Sequence, residues 1–241
     1  GMGVAAIMAI LESKDIPHGP IVALFTSDEE TGMSGAFGLK PGILKGDILL
    51  NLDSEDEGEL YVGCAGGVNG NFVFDYKEEA LPAGHIAYRL SVKGLKGGHS
   101  GLEIILGRGN SNKLMFRFFR HAVKEHDLRI VSVDGGSLRN AIPRESFAVI
   151  TVPAANAEKF EACVAKTQGV YQKELALVEP DLVFKVEKTD MPKHVIETSA
   201  AKRIINAIYG CPNGVIRMSD AMPGLVETST NLARVYSKDG K

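Results

Sequence analysis

At GCAGGVNGN (63–71) the apolar pattern of this chain changes its period. Upstream, IVALFTS (21–27) and DILLNLD (47–53) are short continuous apolar runs, the pattern of strands buried on both faces of a parallel sheet. Downstream, NFVFDYKEE (71–79) and HIAYRLSVKG (85–94) alternate apolar and polar residues, as half-exposed antiparallel strands do. The glycine run therefore reads as a hinge between two regions, residues 1–65 and 66–241. In the first, MGVAAIMAILES (2–13) has helical composition and MSGAFGLK is a short helical stretch ended by Pro41. The order helix, strand, helix, strand predicts part of an α/β sheet. In the second, helices are expected at 111–126, 156–178 and 198–210, and strands at LRIVSVDGG, ESFAVITVP, DLVFKVEK (181–188) and near GVIRMS. That region reads as α+β, without internal repeats, and VYSKDGK reads as a turn closing a strand.

Charge divides along the same line. Residues 1–60 hold 11 acidic and 3 basic side chains, and the remaining 181 hold 19 and 24. An acidic front joined to a basic remainder suggests two regions with different tasks, such as a cation site facing a region that handles anionic groups. No apolar run approaches the roughly 18 residues of a membrane span. The apolar N-terminal stretch has no basic flank and runs into ESKD, unlike a signal peptide. Cys64, Cys163 and Cys211 form no CxxC pair, which favours buried, inert thiols in a reducing, cytosolic setting.

TSDEETGMSG (26–35) follows the first apolar run, and Asp53 follows the second. Ligands of open α/β sheets gather outside the carboxyl ends of strands, so parallel strands would bring both acidic segments to one edge. Neighbouring acids on such a loop can divide the work, one binding a cation and the other holding a water as general base. Spacing alone leaves open a solvated acidic turn, or a capping box from Ser27 to Glu30. NLDSEDEGE has no acid at the twelfth position counted from Asp53, where Cys64 stands, so it is not a calcium loop. KGGHSG (96–101) sets His99 among glycines, where an imidazole can donate to a developing oxyanion or simply be solvated. GGSLRNAIP (135–143) offers Arg139 and Asn140 as carboxylate binders, or a plain turn. The helix KLMFRFFRHAVK carries Met115, Phe118, Phe119 and Ala122 on one stripe, the pattern of a helix covering a sheet. With no base-stacking pattern and a net charge of −3, no nucleic-acid partner is expected.

Taken together, TSDEETGM, ILLNLDSED, CAGG, LKGGHSG, LRNAIP and VETSTNL (226–232) carry a family pattern. In order and spacing they closely resemble the bacterial aminoacyl-histidine (Xaa-His) dipeptidases, within the di-zinc amino- and carboxypeptidases. The resemblance implies a partial catalytic domain over 1–65 and a lid domain over 66–241, through which such chains can form homodimers. It implies Glu29 as general base, Glu30 and Asp53 as ligands to two different zinc ions, and His99 as the lid histidine that polarises the scissile carbonyl. Asn140 and Arg139 would hold the carboxylate of the dipeptide substrate. The family's H-x-D motif, its bridging Asp and its C-terminal histidine have no counterpart among these 241 residues. The expectation is thus an internal segment of a zinc dipeptidase, too poor in ligands to hold two zinc ions and inactive alone. The alternative is a non-catalytic dimerisation or peptide-binding module.

Overall fold

The computed structural model describes residues 1–29, 32–54 and 57–241, and the chain divides into two units, Gly1–Gly67 and Val68–Lys241. The first unit holds two helices, α1 (Met2–Glu12) and α2 (Ser34–Phe37). Residues 21–27 and 47–53, expected as buried strands, are assigned no strand. A strand is defined by ladder hydrogen bonds to a neighbour, and none pairs with either run among the described residues. Ile48, Leu49 and Leu50 are accordingly 81%, 78% and 78% exposed.

The second unit builds its own core. In chain order it runs β1 (Glu78–Ala80), β2 (His85–Lys93), β3 (Gly98–His99), α3 (Ser111–Glu125), β4 (Arg129–Gly135), β5 (Ala141–Ile142), β6 (Ser146–Pro153) and α4 (Ala157–Glu174). It continues with β7 (Val183–Lys188), β8 (His194–Ile196), α5 (Thr198–Gly210), β9 (Gly214–Met218), β10 (Val226–Thr230) and β11 (Val235–Tyr236). The central sheet has the order β11-β4-β6-β2-β7, antiparallel throughout. The alternation after residue 84 therefore foretold antiparallel pairing, whereas NFVFDYKEE contributes only its last two residues, to β1. The helix expected to 178 ends at Glu174, and its final turn gives way to a bend in which Leu175 accepts from Val178 and Glu179.

Tyr88, Leu90 and Val92 of β2 point from one face of the sheet into the core with Ile150 and Val152 of β6. The stripe read from KLMFRFFRHAVK covers them, since Met115, Phe118, Phe119 and Ala122 are all buried. Phe118 is the hub, 4.9 Å from the Phe184 ring of β7 and 5.9 Å from the Phe160 ring of α4. Such tilted and edge-on pairs favour aromatic quadrupoles beyond the burial they share. The opposite face is polar, with Arg89 and Lys93 over the Phe147 ring at 4.9 and 5.0 Å.

Helix ends are tied by named groups. Asn110 caps α3 by accepting from the Lys113 amide at 3.1 Å. Lys113 sends its ammonium to the carbonyls of Ile208, Tyr209 and Cys211, the negative end of α5.

Replacing Phe118 by Ala removes the hub and leaves a cavity. We expect about 3–5 kcal/mol of lost stability in urea unfolding. The His85 side chain is buried, with Nδ1 3.1 Å from the Thr151 hydroxyl, and burial pushes its imidazole below the ordinary histidine range. Asp127 opposes this shift and Arg129 adds to it. The unfolded chain therefore takes up a proton near pH 6.5 that the folded chain resists. Stability from this group is complete above that pH and is lost as pH falls through the lowered folded value. The urea midpoint should drop between pH 7.5 and 5.5, and His85→Gln should flatten that drop.

Candidate functional site

The acidic loop is held from within. Asp28 stands at φ 65° and Met33 at φ 55°, and the Gly32 amide donates back to the Asp28 carbonyl at 3.2 Å. The Ser34 hydroxyl, at the start of α2, donates to the Asp28 carboxylate at 2.6 Å. The capping box considered for Ser27 involves Glu30, which lies outside the described residues; α2 itself begins at Ser34, and the Ser27 carbonyl accepts from the Gly35 amide. Glu29 is exposed beside this turn. Asp53 is exposed on its own segment, with its amide donating to the Asn51 side chain. Gly3 lets α1 approach that segment, since a Cβ there would meet the Leu52 carbonyl at 2.5 Å.

The histidine loop is more tightly organised. His99 lies on β3, whose ladder with β5 pairs it with Ala141, and Ser100 donates to the Asn140 carbonyl at 2.9 Å. The fold thus sets His99 beside Asn140, 41 positions apart in the chain, with Arg139 exposed in the same turn. His99 Nδ1 accepts from the amides of Gly101 and Leu102, each at 3.1 Å. A neutral imidazole whose Nδ1 accepts carries its proton on Nε2. The exposed side of the ring is therefore a hydrogen-bond donor, as polarising a carbonyl requires.

Sequence reasoning missed the residues that fix this ring. Glu103 accepts from the His99 amide at 2.7 Å and pairs with Arg108 at 2.8 Å, while Arg108 donates to the Gly97 carbonyl. The amide of His99, and then Arg108, hold the Glu103 carboxyl below the ordinary carboxylate range. Gly98 is required here: its φ is +133°, and a Cβ would meet Glu103 and Arg108 at 2.5 Å. Asn231, inside VETSTNL, donates to the Ala141 carbonyl at 2.8 Å and so buttresses β5. Glu103 gave no signal beyond standing four residues past His99, whereas Asn231 lay in a motif already noticed.

The thiols were read as buried, but Cys64 is exposed and Cys163 and Cys211 are half-buried. Among the described residues, the one group of three His, Cys, Asp or Glu ligands within 4.8 Å of one another is His121, His126 and Cys163.

An antiparallel sheet covered on one face by α3 and α4 makes the core of the second unit, and residues 90–178 match the family described as "Peptidase dimerisation domain". The fold and this match make the unit similar to the lid-type domains of peptidases. Along 239 residues the chain is 44% identical to the cytosol non-specific dipeptidase of Escherichia coli (strain K12), covering 99% of this chain and 49% of that protein. It is 49% identical to the crystal structure of aminoacylhistidine dipeptidase from Vibrio alginolyticus, with a TM-score of 0.83 over 99% of this chain and 49% of that one. The chain is a homologue of these dipeptidases, as its motifs implied, and it spans about half of their length.

Removing the Glu103 carboxylate should free the histidine loop without unfolding the sheet. In Glu103→Ala, amide exchange at His99 should accelerate while the thermal midpoint stays unchanged.

Proposed function

We propose that this chain is the central portion of a dipeptidase that cleaves Xaa-His dipeptides in the cytosol with a metal-activated water. The observation that carries this reading is the match of 99% of the chain to two dipeptidases. In this reading residues 1–65 are part of the catalytic domain and 66–241 the lid. Glu29 is the general base, exposed beside a turn that its neighbour Asp28 locks. Glu30 and Asp53 are the carboxylates that zinc would take. His99 donates through Nε2 to the scissile carbonyl oxygen, where negative charge grows in the transition state. Asn140 and Arg139, in the turn beside it, hold the substrate carboxylate. The dimerisation-domain match supports a homodimer through the second unit. No helix of the described residues is long and apolar enough to cross a membrane, and no nucleic acid is proposed as partner.

The residues of this chain do not by themselves fit a pair of zinc ions. Two four-coordinate ions need more donors than Glu30 and Asp53 supply, and no third ligand gathers with Asp53 among the described residues. We place the remaining donors in the half of the relatives' length that this chain does not span. The isolated 241 residues would then be inactive. The unpaired apolar runs of the first unit support the same view, since they have the composition of strands and lack ladder partners. A second reading, a non-catalytic dimerisation or peptide-binding module, draws on the self-contained sheet of the second unit.

A segment exchange separates the two. With residues 1–241 replacing the matching segment of the E. coli relative, dipeptide hydrolysis should persist, and Glu29→Gln or His99→Ala should lower it by about 10²–10⁴-fold. The isolated chain with added zinc should show none. An exchanged enzyme that folds but leaves dipeptides intact would favour the module.

A further inference from the structure

The cluster His121, His126 and Cys163 lies wholly within the second unit and takes no part in the chemistry proposed above. The fold brings it together for local reasons. Helix α3 ends at Glu125, and His126, its C-cap, leaves helical geometry at φ −125°, ψ 5°. Its ring stands edge-on to His121 at 6.4 Å and to Phe160 of α4 at 5.7 Å. Cys163 follows Phe160 by three residues, so it occupies the same face of α4 one turn on. One ligand atom from each of the three residues lies within 4.8 Å of the others.

These donors are available. Among the described residues neither imidazole engages in a hydrogen bond or ion pair. His126 is buried, and burial first, then the neighbouring His121, hold it below the ordinary histidine range, so it is a neutral ligand at pH 7. Burial pushes the Cys163 thiol up, so without a metal it stays protonated. His121 and Cys163 line a cleft of about 470 Å³ together with Arg117, Lys166 and Thr167.

We propose that His121, His126 and Cys163 form a binding site for a borderline-soft divalent ion of the zinc class, with its fourth coordination position open to the cleft. Two imidazoles and a thiolate select such an ion over magnesium or calcium, which take oxygen ligands. Tetrahedral zinc sets neighbouring ligand atoms about 3.4–3.7 Å apart, so a pair at the 4.8 Å limit would have to close by about 1 Å. The exposed His121 side chain has room to rotate toward the other two, and a side-chain torsion at Cys163 adjusts the sulfur, while His126 stays against Phe160. Binding forms one metal–sulfur and two metal–nitrogen bonds and releases the Cys163 proton to solvent; nothing is oxidised or reduced. Affinity therefore rises with pH. The bound ion would clip the end of α3 to α4, beside the Phe118 hub.

Cobalt(II) titrated into the chain is the test, because a thiolate-to-cobalt charge-transfer band appears only when sulfur is bound. We expect one ion per chain with that band, displaced by zinc. Cys163→Ser should abolish the band, and both Cys163→Ser and His121→Ala should weaken zinc binding tenfold or more, by analogy with the 10–100-fold cost of losing a supporting group. Cys64→Ser and Cys211→Ser should leave band and affinity unchanged, which assigns the bound sulfur to Cys163. Circular dichroism checks that each variant folds, and His121→Ala, at an exposed position, carries the test if Cys163→Ser does not. A folded chain that gives no band, a band that survives Cys163→Ser, or zinc affinity unmoved by His121→Ala would overturn the proposal.

Discussion

Everything in the second unit depends on how α3 seats its apolar stripe on the sheet. Phe118 meets Phe160 and Phe184, and Tyr171 packs on Phe184 in turn while its hydroxyl donates to the Leu114 carbonyl at 2.9 Å. Burying that hydroxyl without a partner would cost more than the bond itself gains, so the contact fixes register as well as burying area. With α3, α4 and β7 meeting at one ring, α3 can neither slide nor roll without opening the core. Its two ends are therefore fixed points, and the groups with chemical capacity hang from them.

From the N-terminal end the linkage is polar. Asn110 caps α3 and also donates to Asn213, which accepts from the Leu232 amide; Asn231, next to Leu232, donates to Ala141; and Ala141 pairs with His99. The hydrogen bonds as far as Ala141 join buried or half-buried groups, so the position of His99 is tied to the core through β5. At the C-terminal end the linkage is apolar. His126 rests on Phe160, the ring that Phe118 also touches. Linked to one end of the helix is thus a histidine whose Nδ1 is already committed, and at the other are two imidazoles that make no hydrogen bond among the described residues. The first arrangement suits a directional donor, the second a metal ligand.

How much of this was legible in the sequence follows from the range of each interaction. Periodicity is local, so α3, α5 and strands β2, β4, β6, β7 and β9 were readable, as was the buried stripe of α3. The two runs before residue 60 show the limit of that reasoning. Their composition is that of buried strands, but strand formation is a pairwise property, and the described residues supply no partner. Site residues in motifs could be named, yet the adjacency of His99 and Asn140 came from a two-residue ladder too short to leave a pattern. Glu103, Arg108 and the His121–His126–Cys163 cluster left none, because a C-cap histidine meeting a cysteine 37 residues later depends on how two helices cross.

In the role proposed for His99, its exposure has a mechanistic consequence. In water a hydrogen bond from Nε2 to a carbonyl merely replaces one from solvent, and its electrostatic value is small. The same donor aimed at a developing oxyanion in a water-excluded site is worth far more, because no dipole need reorient as charge appears. The double acceptance at Nδ1 and the Glu103–Arg108 clamp meet the orientational cost in advance: the ring is aimed before substrate arrives. What they cannot supply is a low dielectric. Built this way, the ring is rigid beneath and open above, so under the proposed reading its contribution to catalysis would depend on the surface that closes over it, and the second unit alone would bind a carbonyl weakly however well the imidazole is aimed.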